Sequence, residues 1–247
     1  MRQLIPSPSS KSTVGWIAAS LSLLGPQAIL AQTTLSEGHA DIGIAYEGGA
    51  FDLHVHQEEP APGAEYAPNE AILRVGASAQ LAGGVPNTAS ATAFFGPPGS
   101  LLWALPKTEQ PDLLFLGFGT EELSAEEWNG PIGLTLKGVT GPGNFFVWDT
   151  GVFGDLQPKM SSRDGVSSAD RLDLIAGSHG HYFLGFSQPG LYQVSFEASG
   201  THVSDGPLVS ETAHYTFEVV PEPSMFHLLG LGAIVLLLRP RQPSARF

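Results

Sequence analysis

Glycine and proline interrupt nearly every apolar run of this chain, with 30 Gly and 20 Pro among 247 residues. Both are poorly tolerated inside helices, because glycine costs backbone entropy and proline lacks the N–H that an interior turn needs. A long helical bundle is therefore excluded, and short strands joined by turns are the economical solution. Alternation with period two supports this: Tyr192, Val194, Phe196 and Ala198 share one face of a stretch whose other face is Leu191, Gln193, Ser195 and Glu197. Tyr215, Phe217 and Val219 alternate with His214, Thr216 and Glu218 in the same way. Residues two apart on a strand project to one side, so each stretch presents an apolar face to a core.

Further strands are expected over Ala40–Tyr46, Phe51–Gln57, Ala71–Val75, Leu101–Leu105, Leu113–Phe118, Ile132–Gly138, Phe145–Asp149, Arg171–Leu174 and Tyr182–Ser187. Many short strands at this spacing predict an all-β fold, an antiparallel Ig-like β-sandwich occupying residues 32–220. Pro189, Gly190, Leu191 and Tyr192 entering a strand have the local pattern of a tyrosine corner, whose phenol bonds back to the preceding loop. Ala77–Ala93 reads as a loop, and Glu121–Trp128 as the one region able to make a helical turn.

The two ends have a different character. Arg2 and Lys11 precede an apolar run from Val14 to Leu24, and a small residue, Ala31, precedes Gln32. This order of charge, apolar core and small residue predicts a secretory signal peptide over residues 1–31. At the other end Val220, Pro221, Glu222 and Pro223 lead into the apolar stretch Met225–Leu238, followed by Arg239, Arg241 and Arg246. The prolines end the globular domain, since neither can continue a strand ladder. The apolar stretch is about fourteen residues, short of the roughly twenty of a permanent span, and the arginines would be held on the cytoplasmic side. A simple C-terminal anchor is the bland alternative.

Residues 221–247 resemble the PEP-CTERM sorting signal of Gram-negative bacteria, with Pro221, Glu222 and Pro223 as the sorting motif and Arg239 and Arg241 in the basic tail. The resemblance implies a hydrophobic sorting helix, processing by an exosortase, transient residence in the inner membrane, and delivery to the cell surface or extracellular matrix, where a surface polymer is a candidate partner.

Setting these ends aside sharpens the electrostatics. The whole chain has a formal charge of −13, but residues 32–220 hold six bases and 23 acids, a charge of −17. Such a surface repels phosphate and argues against nucleic acid as a partner. It suits cations. The absence of cysteine removes disulfide scaffolds, thiolate-ligated zinc, iron–sulfur clusters and thiol catalysis together, so any metal must be held by histidine and carboxylate.

Two His-x-His pairs meet that requirement. His54 and His56 lie on one predicted strand, His179 and His181 on or beside another, and each pair projects to a single face. Brought together they would offer four imidazole nitrogens to zinc or another divalent transition metal. Asp52 shares the face of the first pair, and His39 and Asp41 on the preceding strand could join directly or as supports. The plainer alternative is half-exposed histidines bonded to one another or to loop backbone. Calcium at Asp164, Asp170 and Asp173, or at Asp149 and Asp155, is a weaker idea, because the spacings do not form an oxygen-ligand loop. Glu121 with Glu122, and Glu126 with Glu127, read as a solvated acidic patch.

Catalytic signatures are missing: there is no G-x-S-x-G elbow, H-E-x-x-H helix or phosphate-binding loop. The expectation is a protein that is not an enzyme.

Several blocks together resemble the choice-of-anchor M domain of bacterial surface proteins: His39 to Tyr46 with Leu53 to His56, Tyr66 to Ala71, Leu102 to Pro106, Leu114 to Glu122, Thr140 to Phe145, and Gly177 to Tyr182 with Pro189 to Tyr192. Members carry different C-terminal anchors. Some related actinobacterial domains are associated with ABC transporters of the metal-uptake type, which implies a metal-handling role for His54, His56, His179 and His181. The sequence therefore supports an exported, noncatalytic surface or matrix protein, with a cell-envelope metal-binding module as the alternative.

Overall fold

Three stretches of strict alternation build the sheet on which the histidines lie. In β2 (Gly38–Glu47) Ala40, Ile42 and Ile44 are buried; in β3 (Ala50–Gln57) Phe51, Leu53 and Val55 are buried; in β7 (Leu114–Gly119) the buried set is Leu114, Leu116 and Phe118. These nine side chains form one inward face. The opposite face receives His39, Asp41 and Gly43 from β2, Asp52, His54 and His56 from β3, and Phe115, Gly117 and Gly119 from β7.

The computed structural model describes residues 32–221. The expected signal peptide over 1–31 and the sorting segment from Glu222 onward lie outside the described residues. The remaining strands are β1 (Thr33–Leu35), β4 (Ala64–Tyr66), β5 (Ala71–Val75), β6 (Trp103–Leu105), β8 (Ile132–Thr140), β9 (Phe145–Thr150), β10 (Leu156–Ser161), β11 (Arg171–Leu174), β12 (His179–His181), β13 (Phe183–Phe186), β14 (Gly190–His202), β15 (Gly206–Val209) and β16 (Ala213–Val219). One α-helix, α1 (Ala89–Phe95), is described.

The strands form three sheets. The largest runs β1-β5-β16-β14-β8-β11 with β15 added to β14; a second runs β10-β9-β13-β6; the third, bearing the histidines, runs β12-β7-β2-β3-β4. Both smaller sheets face the large one. Phe118 of β7 meets Phe196 of β14 with ring centres 6.1 Å apart, and Phe186 of β13 meets Tyr192 of β14 at 4.9 Å. Buried apolar side chains from all three sheets make one continuous core, the layered arrangement expected of packed sheets.

The all-β expectation holds, and the antiparallel part of it needs correction. β5 pairs parallel to both β1 and β16, and β2 pairs parallel to β7. Parallel neighbours cannot be joined by a hairpin, so these pairings connect segments far apart in sequence, which local alternation does not reveal. The expected loop over Ala77–Ala93 also differs. Its last residues begin α1, started by Thr88, whose Oγ1 accepts a hydrogen bond from the Ala91 N–H at 3.2 Å. Phe95 of α1 covers Phe146 and Trp148 on the outer face of the second sheet. The helical turn expected over Glu121–Trp128 is a single 3₁₀ turn at Ala125–Glu127. Tyr192 behaves as a tyrosine corner: its hydroxyl donates to the Gln188 carbonyl at 2.8 Å.

Candidate metal centre

The outer face of the third sheet is a grid set by strand register. Across one row stand His181, Gly117, Asp41 and His56; across the next stand His179, Gly119, Gly43 and His54; Phe115 is level with His39. Both His-x-His pairs therefore face the same side of one sheet, three strand spacings apart. The glycines between them leave the space that the polar side chains fill. A Cβ on Gly117 would collide with Asp41 Oδ1 and lie 2.8 Å from His181 Cε1, and one on Gly43 would collide with His54 Nε2.

Side chains from β2 and β12 converge over this glycine floor. One ligand atom from each of His39, His179 and His181 lies within 4.8 Å of the others, as do those of Asp41, Glu121 and His179, and those of His39, Asp41 and Glu58. The imidazole centres of the three histidines are 5.0, 5.4 and 5.7 Å apart. A tetrahedral ion with bonds to nitrogen of about 2.0–2.1 Å holds imidazole centres about 5 Å apart, so the triangle has the size of a metal site. His39 Nε2 is 3.7 Å from Asp41 Oδ1, close to the edge of such a tetrahedron.

The back nitrogens of two histidines are occupied by carboxylates. His39 Nδ1 is 2.6 Å from Glu58 Oε2, and His179 Nδ1 is 2.6 Å from Glu121 Oε1. An ionised carboxylate only accepts, so each imidazole carries its proton on Nδ1 and turns the Nε2 lone pair away from the carboxylate. This is the arrangement that orients and strengthens metal-bound histidine. His181 is held instead by stacking, its ring parallel to Phe115 within 6° at 3.6 Å.

Local backbone bonding brings the carboxylates into place. The N–H groups of Glu58 and Glu59 both donate to the His39 carbonyl, at 3.0 and 3.1 Å, which folds the end of β3 back over β2. Thr120, fully buried, ties the end of β7 to the turn before β12: its N–H donates to the Ser178 carbonyl at 2.7 Å, and its hydroxyl lies 2.6 Å from Ile175 O and 2.9 Å from Ser178 O. Glu121 follows directly and reaches His179.

Five polar atoms in the centre have no hydrogen-bond partner. Both oxygens of Asp41, the Nε2 of His39 and both ring nitrogens of His181 are buried and unbonded, although Asp41 is only 1% exposed. Burying a carboxylate without partners costs several kcal/mol, by order of magnitude, and most buried polar groups are paired. Burial accordingly raises the Asp41 carboxyl from 3.8 to about 6, with His39 and His179 pulling it down and Glu58 and Glu121 pushing it up. Burial, with His39 second, lowers His181 to about 4, so its imidazole is neutral at pH 7. The hydrogen bond from Glu121 raises His179. The neutral His181 imidazole beside an unpaired carboxylate makes a ligand pair poised for a cation.

The expected site is thus rearranged. His179 and His181 are in the centre, and they are joined by His39 and Asp41 rather than by the other His-x-His pair. His54 is also buried, with Nε2 3.0 Å from Glu122 Oε1 and Nδ1 3.6 Å from Asp52 Oδ2. The ring of His56 stands 6.3 Å from that of His54. Sequence reasoning missed the contacts of Glu58, Glu121 and Glu122 with histidines; Glu121 and Glu122 are solvent-exposed, as expected, and each also reaches a histidine. Among the carboxylates weighed for calcium, Asp170 accepts from Ser161 N, Ser167 N and Ser167 Oγ, Asp173 pairs with Arg171, and Asp149 pairs with Lys107.

A separate concavity of about 650 Å³ lies on the outer face of the second sheet, lined by Phe95, Leu102, Trp148, Leu156 and Phe183. It brings together no paired titratable groups and stands apart from the histidine cluster. Comparison with protein-family models, with curated proteins and with solved structures gave no match.

Proposed function

We propose that residues 32–220 form a metal-binding module in which His39, Asp41, His179 and His181 hold one divalent transition-metal ion, zinc being the first choice for three nitrogens and one oxygen. The observation that carries this reading is the triangle of imidazoles, with ring centres 5.0–5.7 Å apart around an unpartnered, buried Asp41, and carboxylates on the back of two of them. Four protein ligands complete a tetrahedral shell, which suits carriage or structure better than catalysis.

The export reading fits around this centre. The protein is an exported, noncatalytic surface or matrix protein, a choice-of-anchor M-like domain processed through its PEP-CTERM segment by an exosortase, and the ion is what its domain carries at the envelope. An Ig-like sandwich is the finer form of the fold; the Tyr192 corner supports it, while the parallel pairings make it a variant.

Metal analysis of the purified protein after equilibration with Zn²⁺, Cu²⁺ and Ni²⁺ tests the centre. At least one tightly held equivalent is expected, lost in the double variant His39→Ala/His179→Ala. An ion content unchanged by that variant would overturn it.

A further inference from the structure

The His54 side chain lies on the same sheet face as the proposed centre but outside its ligand set. It is 7% exposed, and neither ring nitrogen makes a hydrogen bond. Nε2 projects over Gly43, where a Cβ would collide with it, and stops 3.0 Å from Glu122 Oε1 without the alignment of a hydrogen bond. Two ligand atoms bound to one ion at about 2.0–2.2 Å, near a right angle, stand about 3.0 Å apart. Asp52 lies on the Nδ1 side at 3.6 Å, and its side chain is largely exposed. His56 is beside His54 on the same strand face, with ring centres 6.3 Å apart, so it is the nearest further imidazole on that strand.

We infer that His54 and Glu122, with His56 as the third donor, form a second cation position for a divalent transition metal, distinct from the one on His39, Asp41, His179 and His181. Glu122 and His56 are partly exposed, so water completes the shell and the ion exchanges more readily than at the four-ligand centre, where Asp41 is buried. The two positions are linked by the Glu121–Glu122 peptide, since Glu121 supports His179 while Glu122 reaches His54. An ion captured at the exposed position lies beside the closed one, across the row that contains Gly43 and Gly119.

Equilibrium dialysis of the full-length chain against graded Zn²⁺, with metal content read by mass spectrometry, tests this. Two equivalents are expected, one tight and one at least tenfold weaker. Glu122→Gln, at a residue whose side chain is 39% exposed and so tolerant of change, is expected to weaken only the second equivalent, by tenfold or more, and His54→Ala to abolish it. His39→Ala/His179→Ala is expected to lose the tight ion and keep the weak one. A single equivalent in the unaltered protein, or two equivalents that survive both His54→Ala and Glu122→Gln, would overturn the second position without touching the first. Circular dichroism of each variant guards against misfolding as the cause of a loss.

Discussion

His179 donates its Nδ1–H to Oε1 of Glu121 across 2.6 Å, and this one bond fixes which nitrogen faces the proposed metal. The carboxylate also raises the affinity of the imidazole for a proton, the same electronic effect that makes it a better metal ligand. Glu121→Gln keeps the shape of the side chain and removes its charge. The expected result is a loss of metal affinity of about 10–100-fold, the usual cost of removing such a support. Because the Glu121 side chain is 42% exposed, thermal stability of the metal-free protein should stay within about 0.5 kcal/mol of the parent. Competition with a chelating dye measures the first quantity and thermal unfolding the second; an unchanged affinity would remove Glu121 from the centre.

Asp41 opposes the stability of the metal-free fold at neutral pH. Its folded pKa is raised to about 6 against 3.8, so the native state binds the extra proton between these values. The associated stability is fully present below pH 3.8 and is lost as pH rises to 6. His181 has the opposite sign: with its pKa lowered from 6.5 to about 4, it contributes stability present above pH 6.5 and lost as pH falls to 4. The two nearly cancel across pH 4–6. Asp41→Asn is therefore expected to stabilise the metal-free protein at pH 7 by roughly 2 kcal/mol, to leave a stability that climbs from pH 4 to 6.5, and to abolish tight metal binding. Denaturant midpoints at pH 4.5 and 7 measure it, and a variant less stable than its parent at pH 7 would contradict the assignment.

Much of the fold was legible because alternation reports directly on burial. β5 and β11 match their expected bounds, and β2, β3, β7, β8 and β9 differ from theirs by only a few residues. The short strands β1, β4 and β12 carry too few residues to show a period, and they are held by their neighbours. The candidate site was legible only in its residue types. His39, Asp41, His179 and His181 were all singled out, but their grouping follows from β2 lying parallel to β7 and from β12 closing the sheet edge beside it. Nothing local in the sequence encodes those pairings. Glu121 and Glu122 were unreadable for the same reason, since their partners are set by the Thr120 anchor and not by spacing.

Gly117 sits in an ordinary strand conformation, so alanine is excluded there by space and not by backbone geometry. A Cβ at this position would enter the volume of Asp41 Oδ1 and crowd the His181 ring. Gly117→Ala is expected to destabilise the fold by about 1–3 kcal/mol, as overpacking does, and to lower metal affinity by more than tenfold, because Asp41 and His181 must both move. Gly138→Ala, where a Cβ meets nothing within 4 Å, provides the control in the same kind of strand. Equal metal affinities in the two variants would show that the glycine floor does not shape the site.

The described domain needs no residue beyond Pro221. β16 ends at Val219, which pairs with Val75, and the Val220 N–H donates to the Val75 carbonyl at 2.9 Å, the last backbone bond of the ladder. Pro221 has no N–H to extend that ladder. Cleavage near Pro221, Glu222 and Pro223 would therefore leave every described strand, every described core side chain and the histidine cluster in place. A chain ending at Pro221 is expected to bind metal as the full-length chain does and to unfold within about 0.5 kcal/mol of it. Protein recovered from the cell surface is expected to have lost the segment beyond this motif, and intact mass measurement that finds Phe247 at its terminus would contradict exosortase processing while leaving the metal centre standing.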